Sequence, residues 1–227
     1  MPLYRPAGAR LPLEAVGKEF ACGHADRTGV VAPVTTPEIH WPRSAGTLQL
    51  RPPTPPDIDQ ILRWRRRSDV SRWLIRTRFD PKDYRAAMRR SVDNPRDHHV
   101  VALHRDTVVG TVQLEITDGM GQDEDPAQWH GCEGQLGYFV DPAHAGHGYA
   151  TAMAGAMLAL AFGQLGLRRV TAGCFADNVA SWRVMERVGM RREQHGVRDS
   201  WHAELGWIDG YTYGILAEEW QEQPERT

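Results

Sequence analysis

The chain has 227 residues, of which 41% are hydrophobic and 25% are charged, as is typical of a globular protein with one sizeable core. Its formal net charge of -2 provides no general attraction to nucleic acid or to an anionic membrane, so we expect neither as a partner. No apolar run reaches the ~18 residues of a membrane span, and three widely spaced cysteines indicate a reduced, cytoplasmic compartment.

The two ends of the chain differ in composition from its centre. Residues 1–45 carry many prolines and no sustained hydrophobic period, which predicts a mobile or loosely packed extension. Residues 1–10 lack the apolar stretch of a secretory signal peptide. A polar tail is predicted at 222–227, so one folded domain is expected over 46–221. No metal site is predicted, because the ten histidines show no metal-ligand spacing such as H-E-x-x-H.

Strand and helix signals alternate along the first half of this domain. Two helices are predicted to begin with proline at the first helical position, and two β-branched runs joined by Arg105-Asp106 predict a hairpin. In order, the predicted elements are a strand at Thr47–Arg51, helices beginning near Thr54 and Asp80 with a short helix containing Val70–Leu74 between them, and strands at His98–His104 and Thr107–Ile116.

The second half continues with a third antiparallel strand and then a strand–helix–strand unit. Such a unit implies a parallel, right-handed crossover, so the sheet is expected to be mixed and the fold class to be α/β (α+β). The predicted elements are strands at Cys132–Val140 and Arg169–Phe175 flanking a helix at 148–165, a helix from Asn178 to Val188, a strand at 190–196, a loop containing Trp201, His202 and Trp207, and a last strand at Tyr211–Leu216.

The most informative stretch joins the strand ending at Val140 to the helix beginning near Tyr149. Pro142 ends the strand because its ring fixes φ and it has no N–H. Gly146 and Gly148 then place no Cβ between the backbone and an approaching group. At the helix start the N–H groups have no carbonyl partner and the helix dipole is positive. The strand, the bare loop and the helix N-terminus together predict a binding site for a diphosphate.

Three phosphate-binding motifs compete for this stretch. A Walker A loop requires a Lys-Ser/Thr pair where Tyr149 and Ala150 stand, so that motif is excluded. A dinucleotide motif requires a third small residue where Thr151 stands, and its acidic ligand would have to be Asp177, later than usual. A nicotinamide-dependent oxidoreductase is therefore a less favoured alternative. An acyl-CoA motif, Gln/Arg-x-x-Gly-x-Gly/Ala, matches Ala143–Gly148 at both glycines but not at its first position.

Taken in series, the segments resemble the RimJ/RimL-like branch of the GNAT superfamily of N-acetyltransferases. The matching segments, in family order, are TLQLRP from Thr47, VVGTVQL from Val108, LGYFVDP from Leu136, GHGYAT from Gly146, NVASWRVMERVGM from Asn178 and the terminal Glu219-Trp220. This resemblance implies a GNAT-like mixed, mostly antiparallel central sheet with helices on both faces, in which the fourth and fifth strands splay apart. It also implies acetyl-CoA, or another acyl-CoA, as co-substrate.

By position, the resemblance implies contacts between this co-substrate and three segments. Phe139 and Val140 would pair with the pantetheine amides through their backbone. Asn178 and Ser181 would meet the pantetheine arm and the thiol. The diphosphate would lie against Ala145, Gly146, His147, Gly148, Tyr149 and Ala150.

Attack of an amine on a thioester requires a neutral amine, a donor for the developing oxyanion and a proton for the departing thiolate. A backbone N–H near Val140 is the expected oxyanion donor, and Ser181 is the candidate proton donor, unless its hydroxyl only supports the helix cap. The general base is open, because relatives often carry an acid where Gln135, which cannot titrate, stands. Glu133, two residues back on the same strand face, is the first candidate. The alternatives are a water chain to solvent, Glu115, His195 and Glu204.

The predicted function is transfer of an acetyl or longer acyl group from acyl-CoA to a primary amine. The acceptor amine is that of a small molecule or of a protein N-terminus, and the enzyme is expected to be a monomer or a homodimer. The resemblance implies an acceptor pocket built from Arg65–Phe79 and Arg198–Trp207. Because Gln135 and Ala143 depart from the family pattern, a non-catalytic acyl-CoA-binding module is the alternative.

Overall fold

A computed structural model describes residues 38–122 and 128–222 of the chain. Within these ranges eight strands form a single sheet. The strands are β1 (Arg43–Ala45), β2 (Leu48–Arg51), β3 (Asp97–His104), β4 (Thr107–Thr117), β5 (Glu133–Val140), β6 (Arg169–Phe175), β7 (Arg191–His202) and β8 (Gly206–Leu216). The helices are α1 (Pro55–Arg65), α2 (Ser68–Ser71), α3 (Pro81–Val92), α4 (Tyr149–Gly163), α5 (Val179–Arg187) and α6 (Ala217–Gln221).

The strands lie in the order β1-β2-β3-β4-β5-β6-β8-β7, and every neighbouring pair is antiparallel except β5–β6. α4 connects these two parallel strands, as the strand–helix–strand pattern predicts. The predicted mixed, mostly antiparallel sheet is confirmed. The short helix predicted at Val70–Leu74 is α2, which ends at Ser71. None of the helices in the described ranges is both long enough and apolar enough to cross a membrane.

The parallel pair separates soon after it forms. Pairing joins Glu133–Gln135 of β5 to Arg169–Thr171 of β6 and then stops, although β5 continues to Val140 and β6 to Phe175. The two strand ends therefore diverge and leave a wedge-shaped opening, termed the splay gap, with one free strand edge on each side. The resemblance implied a gap between the fourth and fifth strands of the family's sheet. In this chain those two strands are numbered β5 and β6, because β1 is an additional strand at the start.

Alternate strand residues pack into two hydrophobic clusters on opposite faces of the sheet. Val100 belongs to the cluster that contains α4, whereas Val101 belongs to the cluster of α1 and α3. Within α4, Ala154 has no solvent exposure, and small side chains of this kind let the helix lie close to the sheet. Gly110 of β4 is required at a close approach of the backbone, because a Cβ there would lie 2.8 Å from the carbonyl oxygen of Phe139.

The folded part of the chain begins before the predicted boundary at residue 46. β1 lies within the predicted N-terminal extension, yet it pairs with β2, and Ile39 and Trp41 pack against the larger cluster. A strand of three residues is too short for its alternation to be detected in a sequence. The rest of the predicted extension, 1–37, and most of the predicted tail at 222–227 lie outside the described residues.

The last hairpin is longer than predicted. The predicted loop residues Trp201, His202 and Trp207 lie in β7 and β8, which pair as far as His202 and Gly206. Trp201 pairs directly with Trp207, and their rings meet edge to face with 5.5 Å between centroids. Glycine beside aromatic residues indicated a loop, but cross-strand aromatic pairs of this kind stabilise a hairpin.

His99, on β3, is held in its neutral form. Its Nε2 atom lies 2.7 Å from Oγ1 of Thr111, and this hydroxyl donates to the carbonyl oxygen of Val100 at 2.8 Å. The threonine oxygen must therefore accept a hydrogen from Nε2, which fixes the tautomer of the ring. Burial, and secondarily the positive charge of Arg65, lower the pKa of His99 to about 4.

The free energy of unfolding is expected to fall as the pH is lowered from 6.5 to about 4, because only the unfolded chain binds a proton at His99 in this window. The full pKa shift corresponds to about 3 kcal/mol. His99 as a whole residue is partly exposed, so we expect about 1–2 kcal/mol. Urea unfolding of the wild type and of His99→Gln, which keeps a donor for Thr111, measures this effect at about pH 7 and about pH 4.5.

The exposed residue His40 provides the control for this measurement. His40→Gln is expected to retain the pH dependence of the wild type, whereas His99→Gln flattens it. Equal pH dependence in the wild type and in His99→Gln would contradict the assignment.

Candidate active site

The glycine-spaced loop between β5 and α4 is open to solvent. Gly146 and Gly148 have φ values of 80° and 77°, a region that favours glycine. A Cβ built on either residue would have no heavy atom within 4 Å among the described residues. Gly148 directly precedes α4, and no side chain caps this helix terminus. The first N–H groups of α4 are therefore available to an anion.

Contacts beside the cradle, defined as Ala145–Ala150, fix its shape. Asp141 is buried, and its carboxylate accepts hydrogen bonds from the loop backbone at 3.2 Å and from Arg67 at 3.5 Å. Within the cradle, Nδ1 of His147 lies 2.9 Å from the carbonyl oxygen of Ala145, to which it must donate. The residues predicted to bind the diphosphate thus form the end of this loop and the first two residues of α4, and the contacts of Asp141 and His147 stabilise the loop.

The free edge of β5 presents peptide groups to the splay gap. The N–H of Asp141 donates to the carbonyl oxygen of Val109 on β4 at 2.9 Å. Because successive peptide groups of a strand face opposite edges, those of Val140 and Tyr138 face the gap and that of Phe139 faces β4. The predicted backbone contact of Phe139 with the pantetheine arm is corrected accordingly, because the peptide groups that face the splay gap are those of Tyr138 and Val140.

Polar side chains meet inside the splay gap. The hydroxyl of Tyr138 donates to the carbonyl oxygen of Ser181 at 2.8 Å and lies 3.4 Å from Ser181 Oγ. The thiol of Cys174 is a further neighbour of the Ser181 hydroxyl. Burial raises the pKa of Cys174 to about 11 and also raises the pKa of Tyr138. Both groups are therefore protonated near neutral pH, and the gap contains hydrogen-bond donors without negative charge from either of them.

Ser181 is fixed in the first turn of α5. Asn178 is the N-cap, and its Oδ1 accepts the N–H of Ser181 at 3.3 Å. The structure therefore brings Ser181 to Tyr138 of β5 and to Cys174 of β6, with Asn178 shortly after the end of β6. Tyr138 was missed in the sequence, because its partner lies 43 residues away and no local pattern links the two.

Glu133 lies at the opposite end of β5 from the cradle. Its carboxylate accepts hydrogen bonds from the guanidinium groups of Arg168 at 2.6 Å and of Arg169 at 3.4 Å. At about 3.3 Å per residue, the strand separates Glu133 from Val140 by roughly 20 Å. The structure does not bring Glu133 together with Ser181, and the prediction of Glu133 as general base is corrected for this reason.

The other predicted side-chain bases also lie outside the splay gap. His195 is on the outermost strand, β7, and its Nε2 lies 2.6 Å from Asp209. Glu115 lies opposite Gln135, where β5 is still paired with β6. Glu204 is exposed in the turn between β7 and β8. In residues 38–122 and 128–222, no three side chains of His, Cys, Asp or Glu are grouped so that they could hold a metal ion.

A cavity of about 240 Å³ lies beside the end of β6. Phe175, the last residue of β6, lines it, and its walls come from the segments 71–77 and 201–204. These segments fall within the two stretches predicted to build an acceptor pocket. The cavity therefore adjoins the strand end that borders the splay gap.

Comparisons with known proteins identify one family. A family model described as Acetyltransferase (GNAT) domain matches residues 47–191. YnaD of Bacillus subtilis (strain 168), named as an uncharacterized N-acetyltransferase, is 29% identical over 154 residues, which cover 67% of this chain and 84% of YnaD. The solved acetyltransferase (GNAT family) from Bacillus anthracis has 26% identity and a TM-score of 0.62 over 77% of this chain and 98% of its own. RimJ of Mycobacterium smegmatis, solved in complex with CoA-disulfide, has 24% identity and a TM-score of 0.61 over 77% of this chain and 84% of its own.

Proposed function

Because the chain belongs to the GNAT acetyltransferase family and is an acyl-CoA-dependent N-acyltransferase, we propose that it transfers the acetyl group of acetyl-CoA to a primary amine. The amine attacks the thioester directly and belongs to a small molecule or to a protein N-terminus. The observation that carries this proposal is the continuity of the cradle with the splay gap. An uncapped helix terminus that suits a diphosphate leads to a free strand edge that suits an amide-bearing arm.

Coenzyme A fits this arrangement through the chemistry of its parts. The backbone N–H groups of Gly146–Ala150, at the positive end of α4, would hold the diphosphate. The peptide group of Tyr138 and the carbonyl oxygen of Val140 would pair with the amides of the pantetheine arm as with an added strand, which leaves the Val140 N–H for the thioester oxygen. When bound, the cofactor supplies an acyl group activated as a thioester. The complex of RimJ from Mycobacterium smegmatis with CoA-disulfide supports this class of cofactor.

The residues at the splay gap would stabilise charge and hold a proton. The N–H of Val140 faces the gap and would donate to the oxygen that gains negative charge. Ser181 would donate the proton that the leaving sulfur requires and regain one from solvent water, while Tyr138 keeps the Ser181 carbonyl in place. The high pKa of Cys174 prevents this thiol from competing as a nucleophile. Since none of the predicted side-chain bases lies in the gap, we propose that water carries the proton of the amine to solvent.

Release of free thiol from acetyl-CoA, measured across a panel of primary amines and peptides, tests the proposal. We expect amine-dependent release together with an acetylated product detected by mass spectrometry, at a rate that rises with pH as the amine becomes neutral. Tight acetyl-CoA binding in calorimetry without thiol release from any acceptor would instead indicate a cofactor-binding module. Tight NAD(P)H binding without acetyl-CoA binding would contradict the proposal and favour an oxidoreductase.

A further inference from the structure

Five of the ten residues that line the cavity beside β6 are apolar, and two large ones among them are exposed. Leu74, Ile75, Phe175 and Trp201 are among its lining residues. Ile75 is 77% exposed and Trp201 is 61% exposed, although both are large apolar side chains. Large apolar groups left open around a cavity indicate a surface on which another apolar group is buried.

The uncharged imidazole ring of His202 forms part of the cavity wall. Its Nε2 lies 2.8 Å from the carbonyl oxygen of Arg72 and must donate to it, while its Nδ1 accepts the N–H groups of Glu204 and Leu205 at 3.2 Å. Both ring nitrogens are therefore occupied, and His202 offers the cavity a ring surface rather than a base. Phe175 packs against this ring with 5.1 Å between centroids.

The charge of the cavity is almost balanced. Among the described residues that line it, Glu204 carries the one carboxylate, and this carboxylate lies 3.7 Å from the guanidinium of Arg72. A polyamine brings several positive charges on short alkyl segments, and one carboxylate shared with a guanidinium cannot balance them. A monoamine brings a single charge, and it brings none as the free base that reacts.

We propose that this cavity binds the apolar or aromatic group of a monoamine acceptor, between Ile75 and Trp201, and that it disfavours polyamines. This inference rests on the proposed acyl transfer. The volume of about 240 Å³ suits a single ring or branched side chain, since it is below the roughly 300–1,000 Å³ of sites for drug-sized ligands. An arylalkylamine and a peptide that begins with an aromatic residue share this chemistry.

Three acceptors test the inference and separate its possible sources. 2-Phenylethylamine represents small molecules, a peptide with N-terminal phenylalanine represents proteins, and spermidine represents polyamines. We expect kcat/KM for at least one aromatic acceptor to exceed that for spermidine by about 10-fold or more, because a ring buried in the cavity adds binding energy. Calorimetry with the same amines in the absence of acetyl-CoA measures their binding independently of turnover.

Variants of Trp201 and Ile75 test whether the aromatic group of the acceptor binds in the cavity. Trp201→Ala is expected to weaken binding and kcat/KM for the aromatic acceptor by about 10-fold or more, with unchanged acetyl-CoA affinity. Trp207→Ala is the matched control, because it removes the same edge-to-face contact but no lining residue of the cavity, and we expect values within about 2-fold of the wild type. Ile75→Ala tests the other wall without changing the hairpin.

The outcomes separate this inference from the proposed function. A preference for spermidine, or equal losses in Trp201→Ala and Trp207→Ala with no loss in Ile75→Ala, would overturn the inference while acyl transfer stands. Absence of thiol release with every amine would overturn the proposed function. In that case, if the wild type binds 2-phenylethylamine and Ile75→Ala does not, the inferred specificity of the cavity is still supported. If the wild type does not bind 2-phenylethylamine, the inferred specificity is refuted.

Discussion

Replacing Gly148 with aspartate is expected to weaken acetyl-CoA binding by about 1,000-fold, because it should remove about two charge-assisted hydrogen bonds from the cradle. Gly148 has a φ of 77° and directly precedes α4. Aspartate tolerates this backbone conformation better than most residues, so the fold should persist. Its carboxylate would compete for the N–H groups at the start of α4 and repel a diphosphate. Calorimetry with acetyl-CoA measures the loss, and thermal unfolding checks the fold.

Two further variants control for this result. Gly148→Asn introduces a side chain of the same shape without the charge, and we expect a loss intermediate between the wild type and the aspartate variant. Gly155→Ala lies within the same helix, where an added Cβ meets nothing within 4 Å, and it should leave acetyl-CoA affinity unchanged. Affinity of the aspartate variant within about 10-fold of the wild type would show that the diphosphate binds elsewhere.

Replacing Ser181 with alanine is expected to lower kcat by about 100–1,000-fold, the usual contribution of a positioned proton donor. The N–H of Ser181, which Asn178 caps, is unaffected by this change. Acetyl-CoA affinity should therefore stay within about 2-fold of the wild type. Steady-state kinetics of thiol release and calorimetry together separate the two quantities. An unchanged kcat with a lowered melting temperature would show that the Ser181 hydroxyl only stabilises the start of α5.

The Tyr138→Phe variant distinguishes a positioning role from a direct one. Its ring can still pack, but the hydrogen bond to the carbonyl oxygen of Ser181 is lost. We expect kcat to fall by about 10-fold, less than in Ser181→Ala, because the serine hydroxyl remains but is less well held. Cys174→Ala removes the other neighbour of this hydroxyl and should stay close to the wild type. A larger loss in Tyr138→Phe than in Ser181→Ala would make the tyrosine the proton donor.

Local signals predict the strand, loop and helix around the cradle because each acts on the backbone independently of the rest of the fold. Pro142 ends β5, and Gly146 and Gly148 adopt the positive φ angles that their type allows. Likewise, α1 begins with proline at its first helical position as predicted, and Asp57 accepts the N–H of the preceding Thr54 at 2.7 Å. Such features form without contacts to residues distant in the sequence, so they can be predicted from the local sequence.

Contacts between distant segments decide the rest, and a sequence pattern does not contain them. Strand alternation assigns Glu133 to a face of β5 but does not tell which end of the strand separates from its neighbour. The pairing of Trp201 with Trp207 turns an expected loop into strand, and it depends on the register of a whole hairpin. The hydrogen bond between Tyr138 and Ser181 crosses the splay gap, which exists only after the sheet has formed.

The short seam between β5 and β6 divides the sheet into two half-sheets. Three residue pairs form this seam, and ion pairs of Glu133 with Arg168 and Arg169 brace it. The cradle belongs to the amino-terminal half-sheet, whereas the hairpin that carries Trp201 belongs to the carboxyl-terminal one. A crossover within 164–168, between α4 and β6, would retain the cradle and exchange β6, α5 and the last hairpin together. Under the proposed function, such an exchange would change the hairpin wall of the cavity together with Asn178 and Ser181, while the helix terminus proposed to hold the diphosphate would stay the same.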